Sequence, residues 1–377
     1  MKICIVVRIL WPGGVQRTAI SEAEGLSKLG NEVDLLFIRA TKRMNYDTKI
    51  KYKVLYDDTS KDRLLGRVFN AITHHYLPQR GDDATVDIDL IYKSEHNYNE
   101  KYDLIYYFDE FSALFQKHNK KKFGNRTAVL IHEVAIPNGS FLAKLAQRIA
   151  IKNSDIVLTN TKYNLELLHN NDIKNAFEMY PGLTLKNEVP KFTEKENIAI
   201  SVTMWDFGRK PENLVEIGKH LKTGKMFIVG DWADENYKNI FSKRIKDANL
   251  DEKIIVTGPV TEEELQSLYK RAKIFIRFGY DEKGPGMGSL ESISWGIPLI
   301  INNGIGIKEI VKDKVNGYIV NEMNYIDIST LVEKLFNDPQ EWSNISQNNL
   351  KLAENMSWDK HNSKLNEIFV NNLISKN

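Results

Sequence analysis

Residues 2–38 read KICIVVRILWPGGVQRTAISEAEGLSKLGNEVDLLFI. Lys2–Leu10 is apolar and β-branched almost throughout, the composition of a strand buried on both faces. The turn Trp11-Pro12-Gly13-Gly14 follows. From Val15 to Leu29 apolar side chains recur at helical spacing (Ala19, Ala23, Leu26, Leu29), and Gly30 supplies the residue that most readily turns left-handed after a helix end. Glu32–Ile38 returns to strand. Strand, turn, helix, strand is the opening of a doubly wound parallel sheet, a fold that binds ligands at the carboxyl ends of its strands.

The same grammar continues outward. Further strands are expected at Lys51–Leu55, Leu104–Phe108, Ala128–His132, Ile156–Thr159 and Ala176–Met179. A helix is expected over Lys61–Tyr76, and the acidic segment Gly81–Asp89 reads as a loop whose Asp87-Ile88-Asp89 is a chance pairing of aspartates. Pro181-Gly182 and the polar stretch Leu185–Asn197 read as a linker. The pattern then restarts. Strands are expected at Ile198–Thr203, Met226–Val229, Ile254–Thr257, Ile274–Phe278, Leu299–Asn302 and Gly317–Val320. Helices alternate with them, among them Ile307–Lys312 and one from Ser289. The tail reads as two helices, Asp327–Phe336 and Trp358–Ile374.

Composition limits the function. A chain of 377 residues fits two domains, and its 42% hydrophobic and 27% charged content is that of a globular protein. With 52 basic and 50 acidic side chains the net charge is +2, which gives no global reason to bind nucleic acid. The single cysteine, Cys4, rules out a disulfide within the chain and favours a reducing compartment. No apolar run reaches the length of a membrane span or has the form of a signal peptide. The chain is expected in the cytoplasm, peripheral at the inner membrane face, where the basic run Lys117–Lys122 suits contact with anionic headgroups.

The most specific element is DEKGPGMGSLESISWGI, residues 281–297. Gly284, Gly286 and Gly288 let a ligand approach the backbone, and the run leads into a helix whose first N–H groups and dipole attract an anion. Glu291, placed in the first helical turn, suits vicinal hydroxyls. Phosphate donors beside hydroxyl acceptors suit a nucleotide sugar. Arg209 and Lys210, before a helix opened by Pro211, can neutralise a diphosphate, Arg by its planar fork and Lys as a point charge. Arg277 inside an apolar strand calls for a partner. Asn303-Gly304 forms a second close-approach loop, suited to a base or a phosphate. In the first half, Gly14 can let a phosphate near the backbone, and His132 ends a strand where ligands bind. Asn160, Thr161 and Tyr180 share that address. The dinucleotide pattern G-x-G-x-x-G is absent, and no metal-ligand spacing is present.

These residues resemble the GT-B glycosyltransferases, and within them the retaining family 4, or glycosyl transferases group 1. Residues 284–298, GPGMGSLESISWGIP, look like that family's E-G-F-G-x-x-x-x-E-A-M-A-C-G-x-P. GGVQR at 13–17 is similar to its G-G-x-E-R, and the segment from Asn303 to Gly317 is similar to its G-G-x-x-E segment. The resemblance implies two Rossmann-like α/β domains facing a central cleft. Residues 1–185 would bind the acceptor and residues 186–357 the nucleotide sugar, with a helix in 358–377 crossing back to the first domain. It implies Glu291 on the ribose hydroxyls, and Gly286, Met287, Gly288 and Ser289 as backbone meeting the donor. Asn303 and Gly304 lie nearby, Gly14 under the phosphates, Arg209 or Lys210 on the diphosphate and His132 near the donor sugar. The chain departs in two places. The family's first glutamate falls on Lys283, so that Glu282 serves only if the loop shifts by one residue. The G-R preceding the basic site reads Thr203-Met204.

The implied activity is metal-independent, cofactor-free transfer of a sugar, with retention, from a nucleoside diphosphate to a glycan or lipid-linked acceptor. Two alternatives share the architecture: a nucleotide-sugar 2-epimerase using Glu110, His132 and Glu133, and an inactive transferase-like partner subunit.

Overall fold

The computed structural model describes residues 1–11, 13–40, 48–56, 86, 88–96, 102–135, 141–280 and 282–374. The chain divides into two units, Met1–Gly182 with Trp358–Asn377, and Leu183–Ser357.

The first unit contains β1 (Lys2–Leu10), α1 (Gly14–Lys28), β2 (Glu32–Ala40), β3 (Tyr52–Tyr56), α2 (Ile88–Ser94), β4 (Leu104–Tyr107), α3 (Gln116–Phe123), β5 (Arg126–Ile131), α4 (Phe141–Asn153), β6 (Ile156–Thr159), α5 (Lys162–Asn170) and β7 (Ala176–Glu178). Its strands pair in parallel in the order β3-β2-β1-β4-β5-β6-β7. Alternation along β1 serves two cores at once. Ile3, Ile5 and Val7 pack with Ala19, Ala23 and Leu26 of α1. Cys4 and Val6 pack on the other face with Leu90 and Ile91 of α2. Successive strand side chains point to opposite faces, so a strand covered on both sides must be apolar throughout.

The final helix, Trp358–Ile374, belongs to this unit. Leu365, Ile368 and Phe369 enter the core beside α1. Gly25 of α1 leaves room for Asn362, whose Nδ2 lies 1.9 Å from where a Cβ would stand. The His361 ring ties the helix down, Nδ1 to the Tyr180 carbonyl at 2.6 Å and Nε2 to Glu22 at 3.0 Å.

The second unit contains β8 (Glu196–Val202), α6 (Glu212–His220), β9 (Lys225–Val229), α7 (Glu235–Asp247), β10 (Ile254–Gly258), α8 (Glu262–Arg271), β11 (Ala272–Arg277), α9 (Met287–Ser294), β12 (Leu299–Ile301), β13 (Gly317–Ile319), α10 (Tyr325–Asn337) and α11 (Pro339–Asn355). Its strands are again parallel, in the order β10-β9-β8-β11-β12-β13.

Four details differ from the sequence reading. The polar stretch expected as a linker is built into the second unit. Lys195 is buried, and its Nζ donates to the carbonyls of Tyr269, Lys270 and Ala272 at 3.0–3.2 Å, closing the C-terminal end of α8. The tail holds α11 as well, started by Asp338, which accepts from the N–H groups of Gln340 and Glu341 with Pro339 in the first turn. The expected helix from Ile307 is a short 3₁₀ turn, Gly306–Glu309. Ile88 and Asp89 are helical, in α2, where a loop was expected. The expected helix Lys61–Tyr76 and residue Asp87 lie outside the described residues. Among the described residues no helix is long and apolar enough to cross a membrane.

Candidate functional site

From β8 the second sheet proceeds to β9 and β10 on one side, and from β11 to β12 and β13 on the other. The reversal between β8 and β11 is where such sheets open a ligand crevice. The loops leaving these two strands carry the basic pair and the glycine run.

Gly286 caps α9 with a left-handed φ of 71°, and the helix begins at Met287. Met287, Gly288 and Ser289 therefore form its first turn, and Glu291 falls in the second, one turn later than the sequence suggested. A Cβ on Gly288 would stand 2.7 Å from the Val202 carbonyl oxygen, so glycine is what lets α9 rest directly on the end of β8. Tyr269 fixes the contact by donating to the Gly288 carbonyl at 3.0 Å. Ser289 is buried and its Oγ has no hydrogen-bond partner. The Ser289 N–H is spent on the Gly286 carbonyl at 3.0 Å, so the helix start combines the Met287 and Gly288 N–H groups with a spare hydroxyl.

Arg277, at the carboxyl end of β11, finds its partner in Glu282. One guanidinium nitrogen lies 2.8 Å from Oε1 and 3.0 Å from Oε2. Arg209 bonds Oε2 of the same carboxylate from the other loop, and Asp206 stands 3.8 Å from the Arg209 Nε. Burial pushes the Arg277 guanidinium down to about 10, Glu282 opposes the shift and Arg209 adds to it. Two site residues that lie far apart in sequence, Arg209 and Glu282, are thereby joined. Lys210 goes elsewhere. It follows Arg209 with a left-handed φ of 43°, and its ammonium lies 4.2 Å from the centre of the Tyr280 ring. The adjacent cations are therefore not a fork closing on one point. Pro211 caps α6 rather than opening it, one residue off the expected place.

The Asn303-Gly304 loop lies against the glycine loop. The Gly304 carbonyl accepts from the Glu282 N–H at 2.9 Å, and a Cβ on Gly304 would stand 2.0 Å from the Gly279 oxygen. Asn302 clamps both loops, accepting from the Gly279 N–H and donating to the Gly279 carbonyl, each at 2.9 Å. Sequence reasoning placed Asn302 in a strand and missed this role. Its signal was a polar residue ending the apolar run of β12. A cavity of about 650 Å³ opens beside the clamp, lined by Tyr280, Asn303, Gly304, Asn321 and Glu322. Asn303 itself is exposed. Glu291 has Lys186 for a neighbour. Burial lowers the Lys186 ammonium, while Glu291 and Glu262 draw it back up.

In the first unit, Gly14 is the first residue of α1, after Gly13 as its cap. The Gln16 amide holds the turn by donating to the Ile9 carbonyl at 2.9 Å. His132 follows β5, and its Nε2–H donates to the Phe108 carbonyl at 2.8 Å. Burial pushes the imidazole below its ordinary value, against the pull of Asp109. Glu110 stands beside Asp109, and burial with that second carboxylate raises it to about 7. Gly14 and His132 thus sit at the carboxyl ends of the first sheet, with Asn160, Thr161 and Tyr180 in the same unit, whereas the basic pair, the glycine loop and Asn303-Gly304 belong to the second. Asn160 and Thr161 serve α5, Thr161 as its cap, and Tyr180 offers its carbonyl to His361.

Residues 184–352 match the family model described as Glycosyl transferases group 1. The chain is 23% identical over 313 residues to the poly(ribitol-phosphate) alpha-N-acetylglucosaminyltransferase of Staphylococcus aureus, covering 78% of this chain and 61% of that protein. It therefore spans less than two thirds of that relative's length. Two solved structures share its fold across nearly the whole chain. HepE of Anabaena in complex with UDP and glucose superposes with a TM-score of 0.77 at 14% identity, over 98% of this chain and 100% of that one. Sucrose-phosphate synthase of Thermosynechococcus elongatus gives 0.76 at 15%, over 98% of each chain. The two parallel α/β units thus have the GT-B fold, and residues 184–352, most of the second unit, match the model of glycosyl transferases group 1.

Proposed function

We propose that the protein is a glycosyltransferase that moves a sugar from a nucleoside diphosphate to a glycan or lipid-linked acceptor, with retention of configuration and without a metal ion. The single observation that carries the reading is the convergence, at the β8/β11 switch point, of Arg209, Glu282 and the N-terminus of α9. Arg209 and the first-turn N–H groups of α9 would take the charge that builds on the leaving diphosphate, as preorganised electrostatics. Glu282 would stand in for the glutamate that the family places at the position of Lys283 and would face the donor sugar. Glu291 would hold the ribose hydroxyls. UDP is the first nucleotide to test, since the HepE structure holds it.

A thermal-shift screen of nucleoside diphosphates, followed by transfer assays, tests this. Glu291→Ala is expected to lower transfer about 100-fold or more while the protein stays folded, and EDTA is expected to leave the rate unchanged. Wild-type turnover by Glu291→Ala would remove the site. An EDTA-sensitive rate would replace the metal-free mechanism, and an inverted product anomer would replace retention.

The first unit supports an acceptor on or near an anionic surface. From Ser112 to Asp155 the chain has eight Lys or Arg residues and two acidic residues, Glu133 and Asp155, of which Asp155 takes up Lys120 and Arg126 at 2.9 and 3.5 Å. The helices α3 and α4 in this stretch are tied by the Gln116 amide to the Ala150 carbonyl at 2.8 Å. Phe141 and Leu145, 69% and 43% exposed, share a face of α4 with Arg148 and Lys152. Sedimentation with anionic but not neutral vesicles is expected; equal sedimentation with both would discard the contact.

A second reading, a nucleotide-sugar 2-epimerase, draws on Glu110, which burial and Asp109 raise to about 7, and on His132, which is held by the Phe108 carbonyl. Incubation of a nucleotide sugar without acceptor separates the two, because only an epimerase changes the sugar.

A further inference from the structure

A guanidinium buried inside a strand is costly to place, and β11 is apolar at its neighbouring positions Ile274, Phe275 and Ile276. Arg277 is nevertheless buried there, and it does more than neutralise one acid. Its Nη2 lies within 3.0 Å of both oxygens of Glu282, while Arg209 bonds only Oε2. The same nitrogen lies 3.4 Å from the Thr203 hydroxyl, and Nη1 donates to the Phe278 carbonyl, so Arg277 is fixed to the ends of both β8 and β11. Arg209, by contrast, stands on the short 3₁₀ turn Phe207–Arg209, with Asp206 as its other acidic neighbour. The carboxylate is thus anchored on a rigid cation and shared with a second one on a loop.

The sharing creates a conflict. The guanidinium proposed to meet the donor diphosphate is occupied by an internal carboxylate that offers the same chemistry as a phosphate oxygen. If Glu282 had no other cation, each diphosphate that bound would have to leave it buried and unpaired, or fail to displace it.

We propose that Arg277 is a positioning residue that keeps Glu282 from competing with the donor: when a nucleoside diphosphate arrives, the carboxylate remains on Arg277 with both oxygens and Arg209 turns to the phosphates. This deepens the functional reading above and rests on it. It also accounts for the one-residue shift from the family pattern. With the acid at 282 instead of 283, the carboxylate lies within reach of two guanidinium groups, and the second cation resolves the competition that the first one creates.

The test is a double-mutant cycle read by nucleoside-diphosphate affinity, with UDP as probe and GDP, ADP and CDP in parallel, using calorimetry on the full chain. Arg277→Met leaves Glu282 on Arg209 alone and is expected to weaken binding about 10-fold. Glu282→Gln alone is measured as the reference for the cycle, and Glu282→Gln added to Arg277→Met is expected to bind within about 3-fold of that single variant and several-fold more tightly than Arg277→Met. Arg277→Lys, which keeps the charge, is expected to recover most of the affinity lost in Arg277→Met. Should Arg277→Met not fold, Arg277→Gln enters the same cycle. A double mutant as weak as Arg277→Met, or Arg277→Met with wild-type affinity, overturns the role of Arg277 and leaves the functional reading standing. Absence of binding of all four nucleotides to the wild-type protein overturns the functional reading, and this inference with it.

Discussion

Arg209→Ala is expected to lower the turnover of sugar transfer by about 100- to 1000-fold, the usual cost of deleting one preorganised group that meets developing charge. The fold should survive the change. Glu282 keeps both oxygens on Arg277, so no buried carboxylate is left without a partner. Arg209 lies outside the sheet, and its side chain is 13% exposed. Steady-state kinetics with a nucleotide sugar and a thermal melt together decide the matter. A fall in kcat with an unchanged melting temperature assigns Arg209 to the transition state. A rise in KM alone would assign it to ground-state binding, and unchanged kinetics would remove it from the site. Lys210→Ala gives the internal comparison. Its ammonium rests on the Tyr280 ring, so a smaller loss is expected from it than from its neighbour.

The second large effect falls on stability. Gly304→Ala places a methyl group 2.0 Å from the Gly279 oxygen and 3.3 Å from the Asn302 amide nitrogen. A backbone oxygen cannot rotate aside as a flexible side chain can, so the two loops must separate. That movement breaks the bond between the Glu282 N–H and the Gly304 carbonyl and strains the Asn302 clamp. A cost of about 3 kcal/mol is expected, which for a unit of this size corresponds to a fall of roughly 6–12 °C in melting temperature. Asn303→Ala, exposed and adjacent, should leave the melting temperature where it was. Equal melting temperatures for Gly304→Ala and wild type would show that the loops are not held as described.

How far the sequence could be read depended on whether a signal was local. The α1 helix and its flanking strands were legible because apolar spacing, the glycine turn and Gly30 are each decided within a few residues. The start of α8 is likewise decided locally: Thr261 and Glu264 form a capping box, with Glu264 N–H donating to Thr261 Oγ1 and Thr261 N–H to Glu264 Oε2. The helix α11 was equally local, with Asp338-Pro339 as its start signal, and was passed over. The stretch before β8 misled for a different reason. Polarity there suggested solvent, but a lysine can be buried when helix-end carbonyls are arranged to receive it, as those of α8 are for Lys195. That arrangement involves residues about 75 positions away and leaves no mark on the local sequence.

By itself the sequence determined two α/β units, their strand and helix pattern, and a glycine loop opening a helix beside a basic segment, because side-chain periodicity and turn chemistry act over a few residues. Only the tertiary structure decided what the charged residues do. Arg209 and Lys210 are adjacent in the chain, yet one reaches Glu282 and the other lies over Tyr280. Arg277 and Arg209 meet on one carboxylate because β8 and β11 are neighbours in the sheet although about seventy residues separate them. Electrostatic partnership depends on distance in space, and the winding of the sheet sets that distance.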